Sequence, residues 1–479
     1  MQSLHEMKSR TSCPAHVIDH VQAAASVAGG CHAVVTSVEE VKSAQQLVYV
    51  LTVDCDKCEP AGPNAKGSVL RSENSDMMIR ALKIGRNRIV VRIWKASARW
   101  WNFNTNDARS DCILQMARAE IAGYRLARAA LTSSDIITPE VIHFSDDYSK
   151  QNTSAKEKGV SLPWALFTYI GEKSMHFGEK YVFDGKYAKD MVKARHEFGF
   201  DESHPRHGRV EAGQSIQYAL EVMDNVVLPI QDFFLISSRT GLPMKEDVRL
   251  AVRTLGNTCA SDGRITTQID AKPYWYQDMI ALYENAACRL TQELSANGHS
   301  DATMSRMVET LKACISALSL DAKDCAELAP YHLPPVLVHM DLQPQNVILR
   351  RAPGTACEVD EIPQVSSVLD WEEACFADPR FEVMLMARKV VASREQADRL
   401  WNRHAIHLRE SHGLQVGSIV PWLKLEATHS IVTLLMQSLN LVGGGRSPWE
   451  SKSGLLGKIK REFSRLKFLG WEFCDKVVI

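Results

Sequence analysis

A polar segment enclosed by two short apolar runs constrains the fold of this chain more than any other feature. Val336 to His339 forms the first run, the polar stretch continues to Asn346, and Val347 to Leu349 restores the apolar pattern. A third apolar run, Val365 to Leu369, leads directly into Asp370, Trp371 and Glu372. Such runs predict short strands. The sequence therefore predicts a polar loop and an acidic strand end that are close in the chain.

The residue types in this loop favour phosphoryl transfer. Asp341 can accept the proton of an attacking hydroxyl, and Asn346, five residues later, can hold a magnesium ion. Asp370, at the end of the next strand, has the position of a second metal carboxylate, and Mg²⁺ prefers oxygen ligands. The alternative is an ordinary hydrogen-bonded loop followed by an unrelated Asp at a strand end.

The stretch Val338-His339-Met340-Asp341-Leu342-Gln343-Pro344-Gln345-Asn346-Val347-Ile348-Leu349, followed by Val368-Leu369-Asp370-Trp371-Glu372 and Asp378-Pro379, resembles the aminoglycoside phosphotransferase and choline kinase superfamily. The order of parts agrees over residues 33 to 400, and 336 to 390 match closely. The chain departs from the family at Met340, where Gly is common, at Gln343, often His, and at Glu382, often Asp. The changes at Met340 and Gln343 remove no reacting group.

This resemblance implies an α+β, bilobal, protein-kinase-like fold with a small antiparallel-sheet N-lobe and a larger, mainly helical C-lobe. It implies ATP as co-substrate, Mg²⁺ as cofactor and a small molecule with a hydroxyl group as acceptor. In this register His339 supports the catalytic loop 339–346, and Asp370 marks the metal-binding strand end. Trp371 and Glu372 are candidate substrate-side residues.

The nucleotide-binding residues are expected in the strand-rich first part of the chain. Arg92, on the clear strand Arg88 to Trp94, takes the phosphate-binding cation position, and Glu120 of the following helix is expected to pair with it. Lys95, on the opposite strand face, is the alternative cation. The resemblance places the nucleotide base at Thr168, Tyr169 and Ile170, and its phosphates beside the glycine-free turn 42–46.

The distribution of patterns predicts the domain organisation. Residues 1–170 form the expected N-terminal lobe, with a Pro- and Gly-rich loop insertion at 54–76. Residues 171–479 form the expected C-terminal lobe, in which long helical windows dominate. The roles of 54–76 and of 172–335 are open at this stage.

Charge and cysteine content exclude several classes. With 56 basic and 57 acidic residues the formal charge is −1, so the whole chain has no electrostatic attraction to nucleic acid or anionic membrane. Twelve scattered cysteines favour free thiols in a reducing compartment. No secretory signal or membrane-spanning run is visible, so we expect a cytoplasmic protein.

Two functional hypotheses follow from the sequence. The first is a kinase that moves the γ-phosphoryl group of ATP to a hydroxyl of a small metabolite. The sequence identifies neither the metabolite nor a preference for ATP over GTP. The second is a non-catalytic nucleotide- or metabolite-binding module with the same fold. The intact set Asp341, Asn346 and Asp370 favours the kinase.

Overall fold

The computed structural model describes the chain in segments. These are residues 13, 15, 17–22, 32–41, 46–56, 85–94, 109–145, 162–170, 175–176, 211–240, 245–257, 275–296, 302–324, 333–342, 346–350, 364–390, 394–439 and 452–474. Lys95, turn residues 42–45, Gln343 to Gln345 and most of the predicted insertion 54–76 lie outside them.

The chain divides into two compact units. The first contains Met1–Ser97, Arg109–Ala117 and Pro139–Gly171, and the second contains Ala98–Ala108, Arg118–Thr138 and Glu172–Ile479. The sheet-rich composition of the first and the helix-rich composition of the second agree with the predicted α+β class. Their identification as the two lobes of a kinase, with the boundary at 170, stays a prediction.

The first unit contains a five-stranded antiparallel sheet in the order β1-β2-β3-β5-β4. Its strands are β1 (His32–Val41), β2 (Gln46–Asp56), β3 (Gly85–Trp94), β4 (Val141–Ser145) and β5 (Trp164–Thr168). The predicted strand Arg88 to Trp94 is thereby confirmed as β3. Alternation puts Ile89, Val91 and Ile93 into one core with Val17 and Ile18 of the helical residues 17–22.

Helix α1 (Arg109–Ala130) has its first turns in the first unit and its remainder in the second. The other α-helices in the described part of the second unit are α2 (Glu211–Val222), α3 (Leu228–Thr240), α4 (Glu246–Asn257), α5 (Trp275–Ala296), α6 (Ala302–Asp324), α7 (Pro379–Val390), α8 (Arg394–His412), α9 (Val420–Ser438) and α10 (Lys452–Phe468). A single π-helical turn, Met223–Val227, joins α2 to α3. Within the described residues, no helix is both long and apolar enough to cross a bilayer.

Short strands in the second unit hold the predicted loop. β6 (Met175–His176), β8 (Val347–Arg350) and β9 (Gln364–Val368) form one antiparallel sheet, while β7 (Val336–Val338) pairs with β10 (Cys375–Ala377). The loop thus runs from the end of β7 to the start of β8, and Asp370 follows β9. All three strands predicted around the loop are confirmed.

The start of α7 fixes the end of this region. Asp378 caps the helix by accepting the N–H of Arg380 at 2.9 Å, and Pro379 occupies the first helical position. The Arg380 guanidinium also donates to both Asp378 oxygens, at 2.8 and 2.7 Å, and lies over the ring of Trp422. Because the pair is buried and held by charge-assisted hydrogen bonds, it stabilises the start of α7.

Candidate active site

The loop after β7 is organised around the buried ring of His339. Its Nε2 lies 2.8 Å from the carbonyl oxygen of Leu369, so this nitrogen carries the hydrogen and donates it. Nδ1 is then the acceptor for the N–H of Asp341, at 3.2 Å. One imidazole therefore connects the candidate catalytic Asp to the strand end that precedes Asp370, as expected for a residue that supports the loop.

Asn346 contacts Asp341 directly. Its Nδ2 donates to both the backbone oxygen and Oδ2 of Asp341, each at 2.9 Å. Because Nδ2 makes both bonds, the amide is oriented, and its Oδ1 is the atom that can ligate a cation. The structure thus brings together the proton acceptor and the metal ligand predicted from the loop.

A strained turn precedes Asp341. Met340 has φ of 68°, a conformation that costs a non-glycine residue energy, yet its side chain is buried. The buried carboxylate of Glu382, in the first turn of α7, accepts the backbone N–H groups of His339 and, at 3.2 Å, of Met340. The family's usual Asp is therefore replaced here by a Glu whose Oε2 reaches the backbone of the loop.

Leu369 is held from two directions. Its N–H donates to the backbone oxygen of Asn346 at 2.8 Å, and its carbonyl accepts from His339. The next residue, Asp370, has φ of 66° and donates its N–H to the hydroxyl of Tyr124 at 2.9 Å. The backbone position of the predicted metal ligand is fixed by the catalytic loop on one side and by α1 on the other.

Trp371 fills the space beneath this strand end. Its indole is 1% exposed, donates Nε1–H to Val368 and lies 4.5 Å from the His339 ring, centroid to centroid. Gly123 of α1 packs so closely that a Cβ there would lie 2.9 Å from the Trp371 Cβ. This burial favours packing over the substrate contact we predicted, and among the pair only Glu372 remains half-exposed.

The carboxylate of Asp370 is one of three that converge. Carboxylate oxygens of Glu120, Asp370 and Glu372 all lie within 4.8 Å of one another, and Glu120 is fully buried. Converging negative charges disfavour one another unless a cation offsets them. An all-oxygen donor set that includes Asp370 and the nearby loop residue Asn346 fits Mg²⁺. Glu120 thus joins the predicted metal side of the site, and its pairing with Arg92 remains a prediction.

The first unit contains the residues predicted for the nucleotide. Arg92 is half-buried on β3, opposite Val48 and Ala165, with its guanidinium 5.9 Å from the Trp94 ring. Thr168 exchanges backbone and side-chain hydrogen bonds with Glu140. The choice between Arg92 and Lys95 stays open, because Lys95 is outside the described residues.

Tyr169 and Ile170 continue from β5 as half-buried, non-helical residues. The Arg88 guanidinium lies 4.1 Å from the Tyr169 ring centroid and donates to its hydroxyl at 2.9 Å. This arrangement fixes the Tyr169 ring by cation–π contact and hydrogen bonding. A base-binding role for Thr168, Tyr169 and Ile170 remains a prediction.

Sequence reasoning missed two supporting residues of α1. Tyr124 and Gly123 have no local signal that singles them out, because nothing in a helical period reports a contact with a segment about 246 residues away. Their spacing from Glu120 was the available signal: residues three and four apart share a helix face. One face of α1 thus presents Glu120, Gly123 and Tyr124 to the segment Asp370 to Ala374.

Comparison with known proteins agrees with the predicted resemblance. Residues 286–414, a little over a quarter of the chain, match the model of the phosphotransferase enzyme family. This interval includes Asp341, Asn346 and Asp370, and it confirms the resemblance to the aminoglycoside phosphotransferase and choline kinase superfamily. No curated protein matches the chain in sequence.

Solved structures similar to the chain are distant. The streptomycin–ATP ternary complex of APH(2″)-IIa is 11% identical with a TM-score of 0.43, covering 98% of this chain and 100% of that one. ADP-bound aminoglycoside phosphotransferase APH(2″)-Ib is 12% identical with a TM-score of 0.40, covering 93% and 95%. Choline kinase from Cryptosporidium parvum Iowa II is 11% identical with a TM-score of 0.40, covering 92% of each chain. At these values the family model, and not the structural likeness, supports the assignment.

Proposed function

We propose that this chain, which matches the phosphotransferase enzyme family over residues 286–414, is a kinase that transfers the γ-phosphoryl group of ATP to a hydroxyl group of a small metabolite. The observation that supports this most is the contact of Asn346 with Asp341, next to a strand end at Leu369 that is bonded to both ends of the same loop. A loop without chemistry does not need a proton acceptor, an oriented amide and a metal carboxylate together.

Asp341 is the proposed proton acceptor. Its carboxylate would bind the acceptor hydroxyl, orient the oxygen toward the γ-phosphorus and take its proton as the new P–O bond forms, while the bond from the γ-phosphorus to the β–γ bridging oxygen breaks and ADP leaves. His339 would maintain the loop backbone, since its Nδ1 accepts the Asp341 N–H and its Nε2–H is engaged by Leu369. Asn346 would keep the Asp341 carboxylate in one rotamer through its Nδ2–H bond.

Asn346 and Asp370 are the proposed magnesium ligands, with Glu120 and Glu372 adding negative charge nearby. Bound Mg²⁺ would neutralise charge on the β- and γ-phosphates. Arg92 is the proposed phosphate-binding cation, with Glu120 as its predicted partner, and Thr168 to Ile170 would contact the base. The chain would thus promote transfer by positioning and charge stabilisation, without a covalent intermediate.

Glu372 is the proposed substrate-side residue. It is half-exposed and follows Asp370 by two residues, so a polar or cationic acceptor could contact it. Amino sugars, amino alcohols and other hydroxylated metabolites are the acceptor classes to test. Trp371 is omitted from this set because its indole is buried.

Two variants separate acceptor activation from metal binding. Asp341→Asn keeps the size of the side chain but removes the proton acceptor, so transfer should fall by about a hundredfold or more while Mg²⁺–ATP binding persists. Asp370→Ala removes a charged oxygen ligand and should weaken Mg²⁺–ATP binding itself. Asp398→Asn is the matched control, because Asp398 is an exposed partner of Arg394 and a surface pair contributes little.

The measurements are nucleotide binding by calorimetry and phosphate transfer from ATP and from GTP to a panel of hydroxylated metabolites. Binding of Mg²⁺–ATP with no transfer to any acceptor, in wild type and Asp341→Asn alike, would favour the non-catalytic binding module. A wild-type protein that binds neither nucleotide would refute the kinase and the nucleotide-binding module, and would leave only a metabolite-binding module.

A further inference from the structure

Two histidines and an aspartate meet on a face formed by α3 and α8. Nε2 of His407 lies 2.8 Å, and Nε2 of His412 lies 2.6 Å, from the same atom, Oδ1 of Asp232. The donor atoms of the three side chains all lie within 4.8 Å of one another. None of the three residues takes part in the proposed phosphoryl transfer.

Hydrogen bonds of neighbouring residues connect α3 to α8. His404 of α8 contacts Oε1 of Gln231 at 2.8 Å, one residue before Asp232, and so ties α8 to α3. Arg239 of α3 donates to the backbone oxygen of His412 at 2.9 Å. Gly413, with φ of +67°, ends α8 immediately after His412. The two helices that carry the ligand set are thus held together before any ion arrives, which lowers the ordering cost of binding.

Accessibility suits an ion that enters from solvent. The His412 side chain is 4% exposed and that of His407 17%, whereas Asp232 is 32% exposed. The imidazoles are therefore largely enclosed, while the carboxylate faces an open side.

The donor types select the class of ion. Two imidazole nitrogens and a carboxylate oxygen form the set that zinc and similar first-row ions bind, often with water in a fourth position. Mg²⁺ and Ca²⁺ prefer oxygen ligands alone. From this geometry we propose that Asp232, His407 and His412 form a binding site for a zinc-like divalent transition-metal ion that joins the end of α8 to α3.

Metal binding requires the hydrogen of each imidazole to move from one ring nitrogen to the other. Each Nε2 now carries a hydrogen directed at Asp232 Oδ1, and in the metal-bound form that hydrogen resides on Nδ1 of the same ring, so a neutral imidazole releases no proton. Metal–nitrogen and metal–oxygen distances of about 2.0–2.2 Å require the donor atoms to separate slightly from their present hydrogen-bonded spacing. Rotamer adjustments of the three side chains can supply that movement.

The test uses the full chain after treatment with a chelator, with Co²⁺ as an absorbing probe and Zn²⁺ as competitor near neutral pH. Wild type should bind about one more equivalent than His407→Gln, His412→Gln or Asp232→Asn, and Zn²⁺ should raise the melting temperature of wild type more than that of these three variants. Glu410→Gln, which removes an exposed carboxylate of the same helix, should behave as wild type. Sites elsewhere in the chain contribute equally to all these proteins and cancel in the comparison.

Equal Co²⁺ stoichiometry and affinity in wild type and the folded variants would overturn the proposal and leave the cluster a hydrogen-bonded clamp between helices. If the variants do not fold, X-ray absorption on the wild-type Zn²⁺ complex decides. Imidazole scattering and nitrogen or oxygen neighbours at about 2.0–2.1 Å are expected, whereas a sulfur shell at about 2.3 Å would assign the ion to cysteines and refute the site.

Discussion

Replacing Met340 by alanine and, separately, by glycine distinguishes backbone strain from side-chain burial in the loop that holds Asp341. Met340 combines a φ of 68° with a side chain that is 4% exposed. Truncating a buried methionine costs about 2–5 kcal/mol of unfolding free energy. An alanine in the left-handed region keeps a strain of about 1–2 kcal/mol, which glycine relieves, while glycine loses about 0.5–1 kcal/mol through the unfolded chain.

Both variants should therefore be less stable than wild type, because burial outweighs strain. At most positions an alanine variant is more stable than a glycine variant. At Met340 we expect the opposite: Met340→Gly should be more stable than Met340→Ala by about 0.5–1 kcal/mol. The control is Ala313→Gly at an exposed site within α6, where glycine should cost about 1 kcal/mol.

Urea denaturation of wild type and the three variants measures these differences. A Met340→Gly protein that is less stable than Met340→Ala, by the same amount that Ala313→Gly loses, would show that the turn stores no strain. A Met340→Gly protein more stable than wild type would show that the strain at this turn exceeds the stabilisation from burying the Met340 side chain, which would refute the expected loss of stability.

Three further outcomes follow from the structure. Gly123→Ala places a Cβ 2.9 Å from that of Trp371, so it should lower the unfolding free energy by about 1–3 kcal/mol and weaken Mg²⁺–ATP binding in calorimetry; unchanged values would contradict the packing described. Glu382→Gln removes a buried charge that accepts two loop N–H groups, and urea denaturation should show a loss of about 1–2 kcal/mol together with slower transfer. Burial, with the nearby Arg380 and His407 charges, lowers the pKa of His404 to about 3. Between about pH 6.5 and about pH 3, the unfolded chain binds a proton at His404 that the folded chain does not bind. The free energy of unfolding should therefore fall as the pH falls through this range, by up to about 1.4 kcal/mol per pH unit. His404→Gln should flatten the dependence of urea midpoint on pH, and an unchanged slope would exclude His404 as its source.

Local patterns predicted the elements around the candidate site well. The apolar runs before His339, after Asn346 and before Asp370 became β7, β8 and β9, because strands flanked by polar residues are recognisable within a few positions. The helix start at Asp378 and Pro379 has a local signal of the same kind, since a cap acts only on the first helical turn.

Contacts between distant segments were not visible. Glu120 was assigned a single partner, Arg92, although its carboxylate lies with those of Asp370 and Glu372. Trp371 was placed on the substrate side because a tryptophan beside charged residues has no period to reveal its burial. These differences reflect tertiary packing, which a helical or strand pattern does not encode.

The same limit applies to the cluster on α3 and α8. Asp232 and His407 are 175 residues apart, and the two histidines, five positions apart on α8, do not have the usual spacing of a helical metal pair. The end of α8 at Gly413 and the contacts of His404 with Gln231 and of Arg239 with His412 accompany their approach to one carboxylate.

The two backbone hydrogen bonds of Leu369 determine how the loop around Asp341 opens. Its N–H and carbonyl are both bonded to residues of the loop, Asn346 and His339, so a movement of the loop that separates Asp341, the proposed proton acceptor, from Asp370, the proposed metal ligand, breaks the same two bonds. The amide hydrogens of Leu369 and Asp341 should therefore exchange with solvent as one cooperative group. Molecules with a melted loop would lose both functions at once, and a half-assembled site that binds metal but cannot accept a proton would not accumulate.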